Sequence, residues 1–375
     1  MSLASIRKKF GQRGISRYML HDGVAHFSDD TQMTLFTLEG MMNGVIATKG
    51  GKPSQVLPYI ERSYLAWYET QTGKPHVLPD SWLSHINPLW ARRAPGLTCM
   101  DSLDNIAGGR PVHNDSKGCG GVMRVAPIGI FNAAHPHLYD YADTALLAGL
   151  AAEITHKHIA STFASALLAT TVQNCIQKET VDRVTLFCIV TGGLSMMQKY
   201  FPGHERELEK FDSLIRRALE LGKCDVEEKT AIRELGEGWT GDEAIAIALF
   251  AVMRHIDSFE DCIVCAVNHD GDSDSTGAIA GNIIGAILGY PAIPSYFLDA
   301  LEIEPIIVSA ADDLCPDITD PSVTQRLTLR YHSVLGGITE LNRSIKPNNN
   351  LRILNSNYIK NSRYGTFQEK DKDCH

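Results

Sequence analysis

Between Tyr141 and Ile176 the chain reads YADTALLAGLAAEITHKHIASTFASALLATTVQNCI, a run with few charges, no proline and small residues at nearly every turn. Alanine is the best helix former, and its small side chain lets helix axes approach closely, so this stretch predicts closely packed helices broken only near Thr155 to His158. Helical spacing recurs in TQMTLFTLEGMMNGVIA, where Met33, Phe36, Leu38, Met41 and Met42 share a broad apolar face. GDEAIAIALFAVMRHIDSFEDCIVCAVN predicts two consecutive helices split at about Ile256 to Phe259, and TGAIAGNIIGAILGY a further one with small residues on one face. Alternating strand patterns are few and short. These patterns predict an all-α domain of many helices assembled as one unit. Two segments depart from them. Leu97 to Gly129 is rich in Gly, Asn, Asp and Ser and is expected to be a long, functional loop. Beyond about Arg330 the text is polar, Asn-rich and aperiodic, as in a flexible tail or loosely packed appendage.

With 375 residues and 44% hydrophobic content, the chain can bury a sizeable core. Its net charge of −9 and scattered Lys and Arg, apart from IRKK at Ile6 to Lys9, argue against a nucleic-acid binder. The nine cysteines are widely spaced and odd in number, unlike a secreted disulfide framework, so a reducing cytoplasm is the expected location. The first twenty residues lack the apolar core of a signal peptide, and no uncharged apolar run of the length of a membrane span is evident. No membrane partner is expected. Cys262 and Cys265 form a C-x-x-C, but in an apolar helical run without a second pair, which favours core packing. Trp239, after a Gly-rich turn, either covers a cleft or, as the commoner outcome, packs.

Two acidic knots carry the chemistry. HFSDDTQM places Ser28, Asp29 and Asp30 at the start of an amphipathic helix, where one aspartate is explained by capping of free N–H groups and the pair less well. NHDGDSDSTGAIAG sets three aspartates within five residues ahead of a small-residue helix. Carboxylates that close repel unless a cation or a proton neutralises them. Oxygen-only ligands favour Mg²⁺, Mn²⁺ or Ca²⁺ over Zn²⁺. An EF-hand loop starting at Asp270 fails, because Ser275 stands where its sixth-position Gly is required and Gly281 where its terminal Glu is required. If the two knots meet, their oxygens could hold two hard cations about 3.5–4 Å apart.

FSDDTQMTLFTLEGM, RAPGLTC, NDSKGCGGVMRVAPIG, ITHKH, LGEGWTGDEAIAIAL and VNHDGDSDSTGAIAGNIIGAILG occur in this order, and together they resemble the ADP-ribosylglycohydrolase family of the dinitrogenase-reductase-activating type. The resemblance spans roughly Ser2 to Leu314. It implies an all-α fold with a binuclear Mg²⁺ or Mn²⁺ centre in a cleft that binds ADP-ribose, over residues 1–315, with 316–375 as a partly flexible C-terminal extension. Carried over by position, Ser28, Asp29 and Asp30 match the first metal-ligand motif, and Asp272, Asp274 and Ser275 the second, with Asp270 and His269 behind them. Ser116, Gly118, Cys119, Gly120 and Gly121 match the segment along the diphosphate and ribose, flanked by Asn114 and Met123, and His156 matches a position near ADP-ribose.

The implied reaction is hydrolysis of the N-glycosidic bond between ADP-ribose and a protein side chain, arginine above all, with Asp29 or Asp30 handling the attacking water. The implied partners are ADP-ribose and an ADP-ribosylated protein. The family begins with a helix carrying a Gly-Asp-Ala-Leu-Gly-like motif and a glutamate, upstream of the segment matched by SLASIRKKFG. Without that stretch, metal binding is expected to persist and catalysis to be impaired. An alternative is an ADP-ribose-binding or immunity-type protein whose partner is an ADP-ribosylating toxin.

Overall fold

The computed structural model describes residues 1–73 and 81–331; the Asn-rich tail after Tyr331 lies outside the described residues. Sixteen α-helices are present among them. In chain order the first eight are α1 (Leu3–Phe10), α2 (Asp29–Thr48), α3 (Pro53–Thr72), α4 (Leu97–Ala107), α5 (Ala126–Ala134), α6 (Tyr141–Glu153), α7 (Ile159–Ile176) and α8 (Arg183–Tyr200). There follow α9 (Glu205–Lys223), α10 (Glu228–Leu235), α11 (Gly241–Arg254), α12 (Phe259–Val267), α13 (Ser273–Leu288), α14 (Ser295–Leu298), α15 (Glu304–Asp312) and α16 (Pro321–Tyr331). Strand structure among the described residues is one hairpin, β1 (Leu20–His21) and β2 (Val24–Ala25). Asp22 and Gly23 turn it with positive φ at both positions, as a tight two-residue hairpin requires.

Helices α7 and α11 are apolar nearly all round and therefore sit at the centre. α7 contacts α5, α6, α8, α9, α11 and α13, and α11 contacts α9, α10, α12 and α13. α7 corrects one expectation, since by length and composition it is apolar enough to cross a membrane; 83% of it is buried inside the fold, as for a central helix. The amphipathic α9 covers α11 with Phe211, Ile215, Ala218 and Leu219. The predicted break at Thr155 to His158 separates α6 from α7, and the split near Ile256 separates α11 from α12.

Leu97 to Gly129 is only partly a loop. Its first eleven residues form α4, because Cys99 and Leu103 lie one helical turn apart and both turn inward. The Gly-rich composition that suggests a loop begins only at Gly108. At the other end, α16 docks on α2: Asp313 is buried and accepts from Arg326, Arg330 and the Tyr331 hydroxyl, while Tyr331 packs edge-on to Trp82. Cys262 and Cys265 are both buried in α12.

α2 reaches its place through an unusually close crossing with α3. A methyl group at Gly40 would lie 2.5 Å from the Ile60 Cα, and one at Gly44 would lie 3.0 Å from the Val56 Cα. Those atoms are backbone and cannot yield, so Gly40→Ala should push the two helices apart and cost about 1–3 kcal/mol in denaturant unfolding. Gly192 in α8 has nothing within 4 Å of its Cβ position, so Gly192→Ala should instead stabilise by about 0.5–1 kcal/mol. Equal effects of the two substitutions would contradict this packing.

Candidate metal centre and glycine loop

The first turn of α2 and the first turn of α13 face each other, and there the two acidic knots meet. Carboxylate oxygens of Asp29, Asp30 and Asp274 lie within 4.8 Å of one another. Asp272 interacts with both Asp274 and Asp30. Ser275 is buried beside Asp30, with its hydroxyl donating to the Met123 sulfur at 3.8 Å. All six expected ligand residues are thus in one place.

The bland reading, that these side chains cap a helix, does not hold. Ser28 occupies the N-cap of α2 without capping it; its hydroxyl donates to Asp30 Oδ2 at 2.9 Å. Asp29 Oδ2 accepts from the Gly96 amide at 3.1 Å, in a loop where Ala94 adopts a positive φ. Asp30 Oδ1 is buried without a hydrogen-bond partner among the described residues, as is Ser273 Oγ, between Asp272 and Asp274 in sequence. Of the three aspartates in DGDSD, Asp270 points elsewhere: it accepts from the Leu3 amide at 2.8 Å and faces Arg233 at 3.7 Å. His269 is likewise turned away, hydrogen-bonded to Thr276 Oγ1 at 2.8 Å.

Burial and mutual repulsion raise the proton affinity of this cluster. Asp29 is pushed up to about 8, first by desolvation and then by Asp30. Asp30 and Asp272 are raised for the same reason, with Asp274 as the repelling neighbour. Clustered, half-dehydrated carboxylates with an orphaned oxygen are stable only when protonated or bound to a cation. An all-oxygen donor set fits a hard divalent cation, so Ser28, Asp29, Asp30, Asp272, Asp274 and Ser275 are residues that could hold one.

The glycine loop closes one side of the cluster. Cys119 donates its thiol to Asp272 Oδ2 at 2.7 Å, and its amide donates to the Trp239 carbonyl at 3.1 Å. Side chains are absent at Gly118, Gly120 and Gly121 because other groups already fill the space. A Cβ on Gly118 would meet His156 Nε2 at 3.1 Å, one on Gly120 would meet His156 Cε1 and Cys99 Sγ at 3.0 Å, and one on Gly121 would meet Ser161 Oγ at 2.2 Å. Asn114 and Ser116 hold the loop's base. Asn114 donates to the Thr155 carbonyl at 2.9 Å and accepts from the Ser116 and Lys157 amides at 3.1 Å, while Ser116 Oγ accepts from the Gly118 amide at 3.3 Å. Three of the loop's amides, those of Ser116, Gly118 and Cys119, are therefore already used within the protein.

His156 is the floor of this loop. It is buried, and desolvation followed by the Arg124 charge holds it down to about 3, so the ring is neutral. Arg124 donates to Thr155 Oγ1 at 2.7 Å, and that hydroxyl lies 2.8 Å from His156 Nδ1. Thr155 Oγ1 thus links the guanidinium to the imidazole, and Nε2 is the ring atom beneath Gly118. Arg124 itself was missed in the sequence: fully buried, stacked on Tyr64 at 4.2 Å, it gave no signal beyond its place in VMRVAP. Gly96 was likewise quoted within RAPGLTC without a role. Trp239 corrects the packing expectation, for it is 54% exposed at the rim, held by Glu237 at 3.1 Å.

The fold has a counterpart among solved structures, an ADP-ribosylglycohydrolase-related protein complex, with a TM-score of 0.52 and 24% identity over 77% of this chain and 81% of that one. Residues 1–323 match the sequence profile of the ADP-ribosylglycohydrolase family, and the chain belongs to that family. An uncharacterized protein of Archaeoglobus fulgidus is 30% identical over 189 residues, 49% of this chain and 53% of that protein. The ADP-ribosyl-[dinitrogen reductase] glycohydrolase of Rhodospirillum rubrum is 44% identical over 48 residues, 13% of this chain and 16% of that enzyme. The ADP-ribosylarginine hydrolase Tri1 of Serratia proteamaculans is 34% identical over 98 residues, 26% of each chain. The alignment thus spans about half the length of the first of these relatives and a quarter or less of the other two.

The acidic cluster makes stability depend on pH in a definite direction. The aspartates ionise near 3.8 when unfolded and higher when folded, up to about 8 for Asp29. Between those limits the folded chain binds more protons than the unfolded one, so metal-free stability falls as pH rises. In EDTA, the melting temperature should drop between pH 5 and pH 8, less so in Asp30→Asn, and added Mg²⁺ or Mn²⁺ should raise it more at pH 8 than at pH 5. A metal effect no larger at pH 8 than at pH 5 would contradict the assignment.

Proposed function

We propose that the chain is a metal-dependent hydrolase that releases ADP-ribose from modified protein side chains, arginine above all, by cleaving the N-glycosidic bond. The observation that carries this reading is the convergence of Asp29, Asp30 and Asp274 from two helix starts, beside a glycine loop whose cysteine reaches Asp272. The chain's likeness to the Rhodospirillum dinitrogen reductase glycohydrolase and the Serratia ADP-ribosylarginine hydrolase supports it. Ser28, Asp29, Asp30, Asp272, Asp274 and Ser275 would hold Mg²⁺ or Mn²⁺, two ions in the full reading. Bound there, such ions supply positive charge to ribose hydroxyls and to water.

The chain's own groups then divide the work. Asp29, tethered through Oδ2 to the Gly96 amide, or Asp30, with Oδ1 unpartnered, would orient water and take its proton. Ser116 to Gly121 form the wall along which the diphosphate and ribose would lie, with Asn114 and Met123 at its edges and the His156 ring beneath. Exposed Trp239 stands at the mouth, where the modified protein would approach. As a neutral guanidine departs from an oxocarbenium-like centre, the water proton taken by an aspartate leaves hydroxide character at the attacking oxygen.

The test is release of ADP-ribose from an arginine-ADP-ribosylated protein, in Mg²⁺, Mn²⁺ or EDTA, for the native chain and Asp274→Ala. Release should require metal and fall at least about 10- to 100-fold in the variant. Metal-dependent binding of ADP-ribose without any release would replace the hydrolase with a reader of the modification.

A further inference from the structure

A second cluster of metal-ligating side chains lies outside the acidic centre. Glu228 is the first residue of α10, His255 follows the last residue of α11, and Cys265 lies in the last turn of α12. One ligand atom from each, a carboxylate oxygen, an imidazole nitrogen and the Cys265 sulfur, lies within 4.8 Å of the others. His255 Nε2 and Glu228 Oε1 are 2.7 Å apart, and the Cys265 thiol interacts with Glu228. Cys265 is buried, whereas the His255 and Glu228 side chains are 24% and 45% exposed, so an ion can enter from the surface.

We propose that Glu228, His255 and Cys265 form a transition-metal site, with Zn²⁺ as its occupant and water as the fourth ligand. The donor set decides the metal. Thiolate and imidazole select Zn²⁺ over Mg²⁺, the reverse of the all-oxygen cluster at α2 and α13. Tetrahedral zinc, with bonds of about 2.0–2.3 Å, separates its ligand atoms by roughly 3.3–3.8 Å, within the reach of this trio after small side-chain rotations. Binding is a proton exchange with no redox change. The thiol proton leaves to solvent as the sulfur–zinc bond forms, and His255 binds through Nε2 as a neutral imidazole with its ring proton on Nδ1, any second ring proton leaving to solvent, so thiolate and carboxylate together neutralise the ion.

The surroundings are compatible with that charge. Arg254, whose charge acts on Glu228 and Cys265 and favours their ionised forms, has its guanidinium held by the carbonyls of Leu221 and Val226 at 3.0 and 3.2 Å. The carbonyl end of α11, where partial negative charge accumulates, abuts His255. The site would clasp α10 to α11 and α12. That matters for the neighbouring cleft, because the segment after α10 carries Glu237, whose carbonyl holds the Asp272 amide at 2.9 Å, and Trp239, whose carbonyl holds the Cys119 amide at 3.1 Å.

The full chain, loaded with Co²⁺ as a spectroscopic stand-in for zinc, should show a near-ultraviolet sulfur-to-cobalt charge-transfer band, and after zinc loading and gel filtration should retain one zinc by elemental analysis. Cys265→Ser and His255→Gln should lose the band and weaken zinc binding more than about tenfold. Cys119→Ser, at the acidic centre, and Cys262→Ser, one turn away on α12, should keep both. Asp30→Asn should also keep both, separating this site from the proposed catalytic one. No band in the native chain, a band that survives Cys265→Ser, or one that disappears with Cys119→Ser would overturn the assignment. Circular dichroism melts of the metal-free variants distinguish a lost ligand from a lost fold, and the more exposed His255→Gln tests the site should Cys265→Ser fail to fold.

Discussion

Electrostatic repulsion among aspartates from two helix starts is the constraint around which the rest of the molecule is arranged. Asp29 and Asp30 open α2, and Asp272 and Asp274 lie at the start of α13, so the positive ends of two helix dipoles point at the same acidic centre. That compensation is partial: burial first and then mutual repulsion raise the proton affinity of Asp29, Asp30 and Asp272. Holding such groups together without a cation stores unfavourable energy that the scaffold must offset. Long buried helices, close crossings such as Gly40 on Ile60, and the α16 clamp on α2 supply that rigidity.

A second electrostatic device lies under the glycine loop. Arg124 is a fully buried cation that reaches Thr155 and, through it, His156. An ion pair there would cancel its charge, but the arrangement found instead spreads it over a hydroxyl, a carbonyl, two sulfur atoms and the Tyr64 ring. Burial first, and then its field, keep His156 neutral. The result is a packed, uncharged imidazole under the glycine loop.

Much of this was legible in the chain. The small-residue run of α6 and α7 announced central helices, because only such side chains allow axes to approach closely, and the breaks near Thr155 and Ile256 fell where the period failed. The metal-centre residues were legible because ionised oxygens at short spacing are costly without a counter-charge. Less was readable around Leu97, where polar residues on the outer face of α4 masked the inward Cys99 and Leu103. Arg124 was invisible because a sequence records the charge and not its burial, and Gly96 because its part is played by a backbone amide. The Glu228, His255 and Cys265 cluster was hidden for another reason: its members come from three helices and have no motif spacing.

By itself, the sequence determined the helical class, the central helices and the chemical character of the two acidic knots, since periodicity and side-chain type are local properties. Whether the knots met was not local. That needed α2 and α13, more than 200 residues apart in the chain, to place their first turns face to face. Tertiary structure also decided that Ser28 donates to Asp30 instead of capping α2, that Asp270 turns away, and that Trp239 stays exposed. Each of these depends on which groups compete for the same space and the same hydrogen bonds, and only the packed chain settles that competition.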